Sequence, residues 1–187
     1  MHIIDNASAD YVYLEDWIAD SAIFNDEVYG DHSFHIARVP DSFNRFIFDS
    51  LESAIGSKPK VTASFLRLST SEKDSDIRIH TDANMNSDYA WVFYFTDPPD
   101  DKDYYGTAFF SHHHHGKKFA AADKVENDRL LIEDSGDLSK FKRYSICKMK
   151  KNRLLIYSTE FFHCRYPFKG WGTDKSNGRV VSVGFFN

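Results

Sequence analysis

The rhythm of apolar and polar residues changes near residue 60 of this chain. Before that point the clearest pattern is helical. After Pro40, the residues Phe43, Phe46, Ile47, Leu51, Ala54 and Ile55 recur at helical spacing. Asp41 or Ser42 can cap the start and Gly56 the end, so one amphipathic helix is predicted, with its apolar face laid across a sheet. Tyr11-Val12-Tyr13-Leu14 fits either a strand or the start of a short helix through Trp17-Ile18. A short strand fits around Phe34-His35-Ile36. Residues 1–59 are thus expected to form an N-terminal helical layer.

Beyond Lys60 the pattern is that of short strands. Val61–Leu68, Ile77–Asp82, Tyr104–Phe110, Arg153–Tyr157 and Arg179–Phe186 each read as one, and Phe161–Tyr166 re-enters the sheet after a tight turn. Tyr89–Phe95 is apolar on both faces, which predicts a buried central strand. Residues 111–147 read as an insertion or lid over the mouth of the domain. Short strands at this spacing, without βαβ alternation, point to a single mainly β domain: a sandwich or jelly roll over residues 60–187.

Composition supports a large core and narrows the partners. Aromatic residues make up 16% of the chain, a share that suits a pleated, half-buried surface. The net charge of −5 gives no general attraction to phosphate backbones, so a nucleic-acid substrate is not expected without a local basic patch. Cys147 and Cys164 have no paired spacing, which fits a reducing compartment. The first residues lack a signal-peptide layout, and no apolar run reaches the length of a membrane span. A soluble cytoplasmic protein is expected, with no membrane partner.

The candidate chemistry starts at Ile77–Asp82. Strand alternation puts Arg78, His80 and Asp82 on one face and Ile77, Ile79 and Thr81 on the other. An imidazole and a carboxylate two residues apart can then share a metal ion. The third ligand expected is His163, where the chain re-enters the sheet. Two imidazoles and a carboxylate make the facial triad of non-haem Fe(II) oxygenases, with positions left open for a bidentate 2-oxo acid and O2. The distal carboxylate of such an acid needs a cation, and Arg179 can meet it with a planar fork. The alternative partner for Arg179 is Asp174, in an ordinary ion pair. Arg78 and Arg165 each lie two positions from a proposed ligand and are candidates to meet an acidic substrate group. In His112–His115, neighbours alternate sides and cannot all face one metal. The run is expected as a loop at the site mouth, with His112 touching substrate.

The order His80-Thr81-Asp82, Gly106-Thr107, Asn152-Arg153-Leu154 leading to His163, then Arg179 before a terminal apolar strand resembles the Fe(II)/2-oxoglutarate-dependent dioxygenases. The prolyl-4-hydroxylase-like branch is closest, and "GTAFFSHHHHG" and "NRLLIYSTEFFH" look like a group of bacterial and phage members. The resemblance covers about residues 60–187. It implies a double-stranded β-helix in which His80, Asp82 and His163 hold Fe(II). Arg179 and Tyr94 would bind the distal carboxylate of 2-oxoglutarate. It implies hydroxylation of a small molecule or peptidyl side chain, with 2-oxoglutarate going to succinate and CO2. The carboxylate at position 82 matches hydroxylases rather than halogenases, in which a halide replaces it. One departure is Thr173, ten positions after His163, where many relatives carry their basic residue. Two other readings use the same residues: a non-catalytic jelly-roll module that binds metal or ligand, and a cupin-like metalloenzyme without a 2-oxo acid.

Overall fold

A computed structural model describes residues 1–29, 32–73, 79–100, 104–119 and 124–187. Its centre is the apolar run near residue 90. Strand β5 (Tyr89–Tyr94) lies inside a seven-stranded antiparallel sheet, between β8 (Arg153–Ser158) and β10 (Arg179–Phe186). Alternation along β5 builds two cores at once. Trp91 and Phe93 face the helices, while Ala90, Val92 and Tyr94 face the second sheet.

Outward from β10 the sheet continues through β4 (Val61–Ser69), β3 (His32–Arg38) and β2 (Asn25–Tyr29); beyond β8 it ends at β1 (His2–Asp5). The second sheet has β6 (Gly106–His112) at its centre, flanked by β7 (Phe141–Lys148) and β9 (His163–Tyr166). Phe109 and Cys147 meet Val92, Leu155 and Val181 between the sheets. The fold is a mainly β jelly roll with helices on the outer face of the large sheet.

The helical cover is formed by α1 (Tyr11–Ser21), a 3-10 segment (Asp41–Ile47) and α2 (Phe48–Ile55). Leu14 and Ile18 of α1, one turn apart, bury against the sheet, and the Tyr11 hydroxyl donates to the Phe95 carbonyl at 2.8 Å. The single helix expected after Pro40 is divided in two. The tighter 3-10 spacing brings Phe43 and Phe46 edge to face at 5.4 Å, and each also packs on Phe95. Gly56 ends α2 in the left-handed region at φ 75.

Residues 1–59 are more than a helical layer, since they also supply β1, β2 and β3. The insertion is likewise shorter than 111–147. Ser111 and His112 finish β6, and β7 begins at Phe141. Between them lie α3 (Lys124–Arg129), a π-helical turn (Leu130–Asp134) and a 3-10 turn (Leu138–Lys140).

The sheet core carries a sharp packing constraint. Gly184 pairs with Trp91, and a Cβ on Gly184 would sit 2.1 Å from the Trp91 ring. Trp91 is fixed over the same strand by its indole N–H, which donates to the Ser182 hydroxyl at 3.2 Å. Gly184→Ala is therefore expected to destabilise the fold by about 2 kcal/mol or more, read as a lower midpoint in urea.

Candidate metal centre

His80 and His163 are joined through their backbones. The His80 N–H donates to the His163 carbonyl at 3.0 Å and the reverse bond is 2.8 Å, so the two residues form an isolated antiparallel pair. Their rings consequently stand side by side, with centroids 4.6 Å apart. Asp82 does not continue an extended strand. At φ −101 and ψ 19 it enters a short 3-10 turn (Ala83–Met85), and its N–H donates to the Thr159 carbonyl at 2.8 Å. The turn still leaves the carboxylate against both rings, 3.3 Å from His163 Nε2 and 3.7 Å from His80 Nε2. One ligand atom from each of the three residues lies within 4.8 Å of the others.

The donor set suits a divalent cation. His163 Nδ1 is 2.9 Å from the Phe161 carbonyl, which orients the ring so that Nε2 faces Asp82. The buried Tyr157 hydroxyl lies 3.0 Å from Nε2, within hydrogen-bond reach. Burial pulls the Asp82 carboxyl upward, but the His163 and His80 rings and Arg67 outweigh it and hold the group below its ordinary value. Two imidazoles and a carboxylate converging on one point are ligand types that a divalent cation such as Fe(II) takes. Thr81 points the other way, with its hydroxyl 2.8 Å from Asn127 Oδ1 on α3. Arg78 and Ile77 lie outside the described residues.

Deeper in the barrel the wall is basic. Arg179 is 3% exposed, its Cζ lies 5.7 Å from the centre of the Tyr94 ring, and its Nε has no hydrogen-bond partner among the described residues. Asp174 does not take it; that carboxylate accepts instead from Ser176 N–H and Oγ, at 2.8 and 2.6 Å. The Tyr94 hydroxyl is 2.7 Å from Thr107 Oγ1, on the facing sheet. Burial pushes the Arg179 guanidinium down to about 10, with Arg67 adding to the shift. Arg165 also faces inward, on β9 opposite Thr107, and gives a hydrogen bond to the Phe168 carbonyl. Burial, then Arg67 and Arg179, lower it to about 8.

Two residues of this interior were not anticipated from the sequence. Arg67 on β4 pairs with Val181, so it is a diagonal neighbour of Arg179 on the same face. Tyr157 on β8 sits under the metal group. The signal for both was alternation: Arg67 opposes Leu66 and Leu68 on its strand, and Tyr157 shares a face with Leu155.

His112 is a correction. It projects to the outer face of the small sheet, packed on Phe141 and Phe162 at ring distances of 4.8 and 5.7 Å, with Nε2 3.2 Å from buried Asp134. It is 1% exposed and does not reach the metal group. The cause is that β6 runs on through His112, so the alternation that turns Phe109 inward turns His112 outward. His112→Ala is expected to cost about 2–4 kcal/mol of stability through lost packing, with metal affinity unchanged. A melting curve and a metal titration on the same protein separate the two.

A cavity of ≈ 630 Å³ is lined by chain neighbours of the ligands, Ala83 and Phe161 among them, but not by His80, Asp82 or His163 themselves. Its wall includes Tyr157, Thr159 and Phe161, which also support the ligands, together with Lys118, Glu160 and Asp88. No helix among the described residues is long and apolar enough to cross a membrane.

These features define a jelly-roll protein with a candidate facial metal site. Among solved structures, an oxidoreductase of the 2OG-Fe(II) oxygenase family from Burkholderia pseudomallei is similar, with a TM-score of 0.53 at 13% identity, over 96% of this chain and 79% of that one. A prolyl hydroxylase in complex with a hypoxia inducible factor oxygen degradation domain peptide fragment, from Trichoplax adhaerens, has a TM-score of 0.49 at 11% identity, over 99% and 82%. No curated protein matches the chain. Residues 1–186 match the Family of unknown function (DUF6445), and the chain belongs to that family.

Proposed function

We propose that this protein is an Fe(II)- and 2-oxoglutarate-dependent oxygenase that hydroxylates a C–H bond of a small molecule or a peptidyl side chain. The observation that carries this reading is the convergence of His80, Asp82 and His163 ligand atoms within 4.8 Å inside a jelly roll. Behind it stands a buried arginine whose Nε has no hydrogen-bond partner among the described residues. His80 Nε2, His163 Nε2 and an Asp82 oxygen would hold the metal. Arg179 would hold the distal carboxylate of 2-oxoglutarate, with Tyr94 beside it.

Bound Fe(II) and 2-oxoglutarate would supply the O2 chemistry, in which one oxygen atom enters succinate as CO2 leaves and the other enters the substrate as hydroxyl. The chain contributes placement. The Phe161 carbonyl fixes the His163 ring with its lone pair toward the metal position, which outer partners of ligating histidines commonly do. Burial of Arg179 makes an anion there favourable, because a desolvated guanidinium gains more from a bidentate carboxylate than an exposed one. The cavity lined by Ala83, Thr159 and Phe161 has room for a small molecule or a side chain and is a candidate approach for the substrate. The test is uncoupled turnover in air. Protein, Fe(II) and 2-oxoglutarate together are expected to release succinate, and omission of Fe(II) or of protein to stop it. Succinate at the no-protein background in every mixture contradicts the reading.

A further inference from the structure

Two of the metal ligands sit on a short segment, residues 79–82, that among the described residues joins a sheet through a single pair. His80 bridges to His163, and by Asp82 the chain has already bent into the 3-10 turn. Its other ties alternate along the chain. The N–H groups of His80 and Asp82 donate to the carbonyls of His163 and Thr159, at 3.0 and 2.8 Å. Ile79 and Thr81 are tied on the opposite side, to the helical segment that links β6 to β7. The Ile79 N–H donates to the Ser135 carbonyl at 3.3 Å, and the Thr81 hydroxyl to Asn127 Oδ1 at 2.8 Å. Ile79 and Leu130 also share one buried apolar cluster with Phe110 and Phe141.

The Thr81–Asn127 bond is sealed from water, since both residues are 3% exposed. Separating such a pair strands a buried donor and a buried acceptor, so the contact holds its geometry closely. The orientation of α3 points to the same bond. The helix leaves Val125 80% exposed and buries Asn127, the reverse of what apolar burial alone would select. Asn127 Nδ2 gains nothing in exchange, having no hydrogen-bond partner among the described residues. The buried asparagine is thus placed by what its oxygen accepts. Thr81 lies between the two ligands in the chain, so its position governs the 3.7 Å spacing of His80 Nε2 and the Asp82 carboxylate.

We propose that Asn127 is a positioning residue for the metal centre, holding His80 and Asp82 at their spacing through its hydrogen bond to Thr81. The inference rests on the metal centre of the function proposed above and does not depend on 2-oxoglutarate. It makes the segment between β6 and β7 a bracket behind the ligands, in addition to whatever it covers. Supporting groups outside the ligands commonly set how well a metal site is preorganised.

The experiment measures Mn(II) affinity by calorimetry on the full chain, beside the melting temperature of the apoprotein. The variants are Thr81→Val, Thr81→Ser, Asn127→Ala and the double variant Thr81→Val/Asn127→Ala. Thr81→Val and Asn127→Ala are each expected to weaken Mn(II) binding about tenfold, the lower end for partners outside the ligands. Thr81→Ser keeps the hydroxyl and should bind within about twofold of wild type, because the hydrogen bond is retained. The double variant should be no weaker than either single one, since both changes remove the same contact. Lower melting temperatures with wild-type Mn(II) affinity would overturn the proposal and leave a purely structural bond. Thr81→Ser as weak as Thr81→Val, or losses that multiply in the double variant, would overturn it as well. Should Asn127→Ala fail to fold, the contrast between Thr81→Val and Thr81→Ser decides alone. Wild-type protein that does not bind Mn(II) overturns the metal centre itself, an outcome distinct from a failure of Asn127.

Discussion

Asp82→Ala is expected to bind Fe(II), or Mn(II) in its place, at least about a hundredfold more weakly than wild type. Replacing an outer-shell partner of a metal ligand already costs about 10–100-fold, and the ligand itself should cost no less. Asp82 is the one anionic member of the group, and its two ring contacts of 3.3 and 3.7 Å make it the bridge between the imidazoles. Its carboxyl is held below the ordinary value, so at neutral pH the metal displaces no proton from it. The fold should tolerate the change within about 1 kcal/mol, because its backbone N–H, not its side chain, makes the bond to Thr159. Calorimetric titration of the metal, beside a melting curve of the apoprotein, reads both quantities. Wild-type affinity in the variant would remove Asp82 from the site.

Arg179→Met should show opposite effects on binding and stability. The guanidinium is 3% exposed, and its Nε has no hydrogen-bond partner among the described residues, so in the free protein it is a desolvated charge that costs stability. Methionine fills a similar volume without that charge. The apoprotein variant is expected to melt at the wild-type temperature or higher. Affinity of the metal-loaded protein for 2-oxoglutarate should fall by about a hundredfold, since removing one partner of a buried charge pair costs about 2–5 kcal/mol. Metal affinity should not change. A variant that melts lower and binds 2-oxoglutarate normally would make Arg179 a structural residue.

The parts of this protein that were legible in the sequence are those whose signal is local. The run Tyr89–Phe95 is apolar on both faces and became the buried strand β5. His80, Asp82 and His163 were identifiable by ligand chemistry, although Asp82 reaches its place through a 3-10 turn rather than along a strand. The misses have a common physical origin, in that alternation tells which residues share a face but not which face meets the interior. Arg67 shares its face with Phe65 and opposes Leu66 and Leu68, so both faces of β4 look apolar. Tyr157 reads as one more core aromatic until His163 is brought within 3.0 Å of it. The edge strands were hidden for another reason. His2–Asp5 has only four residues, too few for alternation to register, and Asn25–Tyr29 is short and mostly polar, as exposed sheet edges tend to be.

The most direct measurement is an anaerobic titration of the full chain with Fe(II) and then 2-oxoglutarate, followed by visible absorption. A charge-transfer band is expected that grows with 2-oxoglutarate, saturates at one equivalent per chain, and is absent from Asp82→Ala. No band in wild type, or a band of equal strength in Asp82→Ala, would contradict that expectation.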